Sequence, residues 1–148
     1  MSKLGFQVGA IPFRTLSDGL KVLLITSRDT GRWVIPKGGV EGGDTPRKAA
    51  AREAFEEAGV RGVIGKKALG LFSYEKRLRS GRAKPTTVEV FTLHVKRELK
   101  NWPERGQRRL VWMTIAEAVG LVEEPSLVDL LLRLEEIHRT NDLTKWFK

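Results

Sequence analysis

The chain has 148 residues, 41% of them hydrophobic and 30% charged, which is a globular composition and excludes a disordered or fibrous chain. It has no cysteine, so disulfides and thiol catalysis are excluded and a reducing compartment is allowed. The net charge is +9, and residues 61–110 hold fourteen Lys/Arg against four Glu, a field that suits a polyanionic partner, either a nucleic acid or a small, highly phosphorylated molecule, and that solubility alone would also explain.

At this length one domain covers residues 1–148. The chain contains no apolar run of about 18 residues, and MSKLGFQVGAIPF lacks the apolar core of a signal peptide. The expectation is a cytoplasmic protein without a membrane segment, of unknown oligomeric state. Phe6–Phe13 reads as a buried strand weakened near its end by Pro12. Ser17-Asp18-Gly19 is a turn, and Lys21–Thr26 (KVLLIT) is a continuous apolar run, as in a strand covered on both faces. Ser27–Arg32 is a polar loop, and Trp33-Val34-Ile35 a brief apolar run that Pro36 keeps from being helical. Trp33 in such a run favours core packing over stacking on a substrate base.

Gly38–Val60 (GGVEGGDTPRKAAAREAFEEAGV) is a glycine-rich loop feeding a helix. Thr45 suits the N-cap and Pro46 the first helical position. Alanine-rich Arg47–Ala58 has no glycine, proline or β-branched residue, and Gly59 supplies the left-handed stop. Glu53, Glu56 and Glu57 share one face at i, i+3 and i+4. Like charges so spaced repel by about 0.2–0.5 kcal/mol per pair. One reading is an ordinary solvated face. The other is a divalent cation held by carboxylates beside bare backbone that receives phosphate. Arg52 is placed to orient one of the acids.

Beyond this stretch, Val63–Tyr74 reads as a strand bent or bulged at Gly65 and Gly70. Thr86–Val95 is its hairpin partner, and Glu75–Lys84 a basic tip projecting toward a ligand. His94, without a nucleophile partner, reads as structural. Glu98–Arg109 is a polar connector and Leu110–Met113 a last strand. Thr114 and Glu117 make a capping box; Ser126 and Asp129 form a similar start for a helix over Leu127–His138 with a leucine stripe. Asn141–Lys148 is a tail in which Trp146-Phe147 docks. Strands on both sides of one helix predict an α/β fold, a mixed central sheet between helices.

Gly38–Val60 resembles the Nudix box, G-x5-E-x7-R-E-U-x-E-E-x-G-U, where U is a bulky aliphatic residue. Gly38, Arg52, Glu53, Glu56, Glu57, Gly59 and Val60 match. Asp44 replaces the first glutamate and Ala54 the bulky aliphatic. The resemblance implies an α/β/α sandwich and hydrolysis of a phosphoanhydride with Mg²⁺ or Mn²⁺. It makes Glu53, Glu57 and the Gly38 carbonyl metal ligands with Glu56, and Glu56 the general base, a role it can exchange with Glu57; Arg52 belongs to the same catalytic group.

Within the family the chain is similar to diphosphoinositol polyphosphate and diadenosine polyphosphate phosphohydrolases, through Ser27-Arg28, Arg32–Pro36, Gly70-Leu71-Phe72, Trp102-Pro103-Glu104 and Arg108-Arg109 before Trp112. The likeness implies phosphate contacts from Ser27, Arg28 and Arg108 or Arg109; position beside the box, in the glycine loop and in the basic hairpin adds Arg32, Lys37, Gly38, Gly39 and Arg77 as candidate substrate contacts. Where those relatives carry His-Lys-Pro, this chain has Glu123-Glu124-Pro125, acids that disfavour a heavily phosphorylated inositol. Two alternatives remain from the sequence: a pyrophosphohydrolase of RNA 5′ ends, and a catalytically silent phosphate-binding module.

Overall fold

The computed structural model describes residues 5–140 and 143–147. Seven strands form one sheet: β1 Gly5–Leu16, β2 Gly19–Thr26, β3 Trp33–Val34, β4 Lys37–Gly38, β5 Val60–Arg77, β6 Ala83–Glu98 and β7 Leu110–Met113. The main order is β3-β2-β1-β6-β5, with β4 on β1 and β7 on β2. β1 runs parallel to β6, and the other pairs are antiparallel. The helices are α1 Pro46–Ala58, α2 Ile115–Leu121 and α3 Pro125–Arg139, followed by a 3₁₀ turn at Leu143–Trp146.

Period-2 alternation along the strands feeds two cores. Val8, Ala10, Leu23, Ile25, Phe91, Leu93 and Val95 meet α1 on one face. Ile11, Phe13, Val22, Leu24, Val88 and Val90 meet α2 and α3 on the other through Leu127, Leu130, Leu131 and Leu134. The sandwich expected from the sequence is the observed one. The buried side of α1 is built of Ala49, Ala50, Ala54 and Ala58, so small side chains let its axis lie close to the sheet. Thr45 accepts the Lys48 N–H, Pro46 opens the helix, and Gly59 closes it at φ 67°.

β1 continues through Pro12 to Leu16, past the expected weakening. On one edge Ala10 bonds the Pro36 carbonyl while Phe13 already pairs with Val22; Pro12 stands where β1 changes partners, and its missing N–H is tolerated there. β5 is bulged near Gly65 and Gly70 as expected, with register shifts between Ile64 and Ala68 and between Ala68 and Gly70. The hairpin is longer than its sequence suggests, because pairing runs on to Arg77↔Ala83 and Val60↔Glu98. The Ser126–Asp129 cap does not form. The helix starts at Pro125, and the Ser126 hydroxyl instead accepts the Ser73 N–H at 3.0 Å. Thr114 and Glu117 do form a capping box.

His94 stacks on Phe13 at 5.0 Å between ring centroids and touches Phe147, the structural role expected of it. Trp146 and Phe147 pack on the α3 side; Asn141, Asp142 and Lys148 lie outside the described residues. Trp33 is also core, packed against the α3-side cluster.

Gly59 is pinned twice: its φ is positive, and a Cβ there would collide with the Trp102 ring. Gly59→Ala is expected to destabilise the fold by about 1–3 kcal/mol. Urea unfolding should read this as a lower midpoint at unchanged slope.

Candidate active site

Glu53 and Glu57 lie on the inner face of α1, only 7% and 8% exposed. Burial pushes the Glu53 carboxyl above its ordinary value against the pull of Arg52. Arg52 gathers the surrounding acceptors: Nη1 donates to Glu53 at 2.8 Å and to Glu56 at 3.4 Å, Nε to Asp44 at 3.3 Å, and Nη2 to the Gly39 carbonyl at 3.0 Å. Asp44, one methylene short of the glutamate in the box pattern, keeps its contact with Arg52. Arg52 thus clamps the glycine loop to the helix, fixing more than the single carboxylate expected.

Glu57 is held from the other side. It accepts the Lys37 N–H at 3.2 Å, and Arg108 Nη2 stands 3.5 Å from it. Arg108 is itself anchored by Glu104 at 3.1 Å and by the Thr26 carbonyl at 3.1 Å. Burial pushes the Glu57 carboxyl up to about 7, opposed by Arg108 and reinforced by the charge of Glu53. A Cβ at Gly38 would meet the Glu53 carboxylate, so any side chain there would push that carboxylate aside. The loop backbone and the acids therefore meet.

Glu57 also lines a cleft of about 650 Å³. Of the sequence-predicted substrate residues, Ser27, Arg28, Arg32, Lys37, Arg77 and Arg108 line it too. Arg109 does not. Its guanidinium lies over the Trp33 ring at 5.3 Å, and its N–H donates to the Thr26 hydroxyl, so it fastens the connector to β2. Gly38 and Gly39 sit behind the cleft with Glu53 and Arg52. Of the basic hairpin, only its base at Lys76 and Arg77 reaches the cleft.

Several cleft residues escaped the sequence reading. Tyr74 bonds Gln7 at 2.8 Å and carries the Lys37 ammonium over its ring at 4.5 Å; burial raises its phenol to about 12. Its alternation with Phe72 along β5 was the available signal. Glu124, already expected to oppose phosphate, pairs with Arg32; Glu104 does not line the cleft and bears on it through its bond to Arg108.

The repulsion between acids that suggested a cation is already relieved by Arg52 and Arg108. Among the described residues no three acidic, His or Cys side chains converge tightly enough to hold a metal ion as they stand. The donor chemistry nonetheless fits a hard divalent cation. All candidate ligands are oxygens, and two of the carboxyls are buried with raised pKa, in surroundings where a cation replaces costly protons.

A family model described as "NUDIX domain" matches residues 4–134. The chain belongs to the Nudix hydrolase family. It is 38% identical over 137 residues to "Nudix hydrolase 16, mitochondrial" of Arabidopsis thaliana, covering 84% of this chain and 76% of the relative. It is 33% identical over 133 residues to "Diphosphoinositol polyphosphate phosphohydrolase 2" of Rattus norvegicus, covering 87% and 70%. The chain spans 64% of the length of two further Arabidopsis relatives. A C. elegans Ap4A hydrolase structure superposes with TM-score 0.68 at 20% identity, covering 92% of this chain and 98% of that one, a likeness of fold. As a member of the Nudix family, this chain keeps Glu53 and Glu57 of the box buried and clamped. No helix among its described residues is long and apolar enough to cross a membrane.

The raised Glu57 carboxyl has a thermodynamic signature. Its folded pKa of about 7 exceeds the ordinary 4.5, so its contribution to stability is fully present below pH 4.5 and is lost as pH rises through 7. Melting temperatures in excess EDTA should therefore fall more steeply across that window for the wild type than for Glu57→Gln. Saturating Mg²⁺ should raise the wild-type melting temperature most on the alkaline side.

Proposed function

We propose that this chain hydrolyses a phosphoanhydride bond in a polyphosphorylated small molecule of the dinucleoside polyphosphate or diphosphoinositol polyphosphate class. The observation that carries the reading is Glu57, a buried carboxylate shared between the acid cluster and a cleft lined by basic side chains. The names of the rat and C. elegans relatives point to the same two substrate classes. A cytoplasmic setting is part of the proposal.

Glu53, Glu56 and Glu57, with the Gly38 carbonyl, are the groups that would hold Mg²⁺ or Mn²⁺. When bound, the ion supplies charge neutralisation at the phosphate oxygens and acidifies water. Arg52 is a positioning residue: it locks Glu53 and Glu56 against the loop carbonyl at Gly39. Either Glu56 or Glu57 takes the proton from the attacking water. Glu57, the one lining the cleft, is favoured, and Arg108 keeps its carboxylate aimed. Lys37, Arg28 and Arg77 bind the phosphates on either side of the scissile bond and stabilise the charge that develops as it breaks. Ser27, whose hydroxyl bonds Thr30 at 2.5 Å, closes the loop that carries Arg28 and Arg32.

The reading is tested with a substrate panel in Mg²⁺ comprising dinucleoside polyphosphates, diphosphoinositol phosphates, ADP-ribose, oxidised nucleotides and triphosphorylated RNA. Products formed in ¹⁸O-labelled water locate the attacked phosphorus. Glu57→Gln should lower kcat by about 10²–10⁴-fold if it is the base. Activity preferring RNA, with a steep salt dependence, would favour the alternative of RNA 5′ ends. Unchanged binding, with no turnover in wild type or Glu53→Gln, would make the protein a silent binding module.

A further inference from the structure

Arg32 is one of the cleft cations that phosphate chemistry could use, and it is engaged. Its guanidinium pairs with Glu124, whose side chain is only 9% exposed. Glu124 occupies the N-cap of α3 and makes no side-chain cap bond there. Its second oxygen, Oε1, is buried without a hydrogen-bond partner among the described residues. A buried acceptor of this kind is costly unless a donor reaches it. Nor is the cleft the strongly positive funnel that the overall charge suggests. Its six Lys/Arg face five Asp/Glu, and Arg28 and Arg108 are likewise tied to Glu104.

We propose that Glu124 is the specificity-determining residue of the cleft. It withholds Arg32 from phosphate, so that the site takes a nucleoside-linked diphosphate in preference to a densely phosphorylated polyol. This deepens the proposed function and rests on the same cleft being the substrate site. Selectivity arises as much from what is repelled as from what is attracted. Each added phosphate on a polyol meets a carboxylate where a free guanidinium would otherwise stand. An uncharged base or ribose in that place loses nothing.

The test uses equilibrium binding by calorimetry, with ADP and inositol hexakisphosphate as probes, so hydrolysis plays no part in it. Wild type should bind ADP more tightly than inositol hexakisphosphate. Glu124→Gln, which removes the charge and keeps the shape, should tighten inositol hexakisphosphate at least tenfold while ADP shifts less than threefold. The gain should vanish in Arg32→Ala/Glu124→Gln, as coupling through the freed guanidinium requires. Glu123→Gln removes an equal charge at the cleft without touching the Arg32 pair, and should produce a clearly smaller gain.

The proposal is overturned by tighter binding of the polyol in wild type, which needs no variant to fold. It is also overturned by a Glu124→Gln gain that is absent, that persists without Arg32, or that Glu123→Gln equals. If binding follows the prediction while no panel substrate is cleaved, the hydrolase reading fails and this one stands. Cleavage with the reverse binding order does the opposite.

Discussion

The site depends on keeping two glutamate carboxylates buried on a helix without letting them repel each other out of place. Glu53 and Glu57 lie on the inward side of α1 because the rest of that side is alanine, which brings the helix axis close to the sheet. The charge of Glu53 bears on Glu57 and helps push its carboxyl up. Two guanidiniums make the arrangement tolerable: Arg52 from the glycine loop side and Arg108 from the connector before β7. Removing one member of such a network strands a buried charge, so its parts are interdependent. Gly38 completes it by leaving room for the Glu53 carboxylate.

Much of this was legible because the box segment is locally consistent. Cap, proline, alanine run and glycine stop all specify one helix, and the helix then dictates which residues share a face. The core could be read for the same reason, from the continuous apolar run of Lys21–Thr26 and the leucine stripe of α3. What was not legible depends on contacts distant in sequence. Ser126 carries the signature of a helix cap, but β5 lies against it and the Ser73 N–H takes its hydroxyl. Arg108 and Arg109 are neighbours with identical chemistry. Only the path of the connector sends one to Glu57 and the other onto Trp33. Tyr74, Gln7 and Glu124 come from three separate elements, and the sheet order is what brings them to one cleft.

Charge is the clearest case in which composition and site differ. The excess of Lys/Arg between residues 61 and 110 suggested a positive funnel. The structure spends most of those side chains elsewhere: Arg61 lies over Phe55, Arg105 over Trp102, and Lys66 and Lys67 are exposed on an edge strand. Positive edge strands also discourage edge-to-edge association, a role that needs no ligand. Within the cleft the charges nearly balance, and recognition falls to how individual pairs are wired.

The central claim is that the buried carboxylates and the loop at Gly38 form one cation site. It is tested most directly by an anomalous difference map from crystals grown with Mn²⁺. A peak bounded by Glu53, Glu57 and the Gly38 carbonyl, with the Arg52 clamp retained, is the predicted result. A clean map there, or manganese bound only at surface acids such as Asp18 and Glu136, would contradict it.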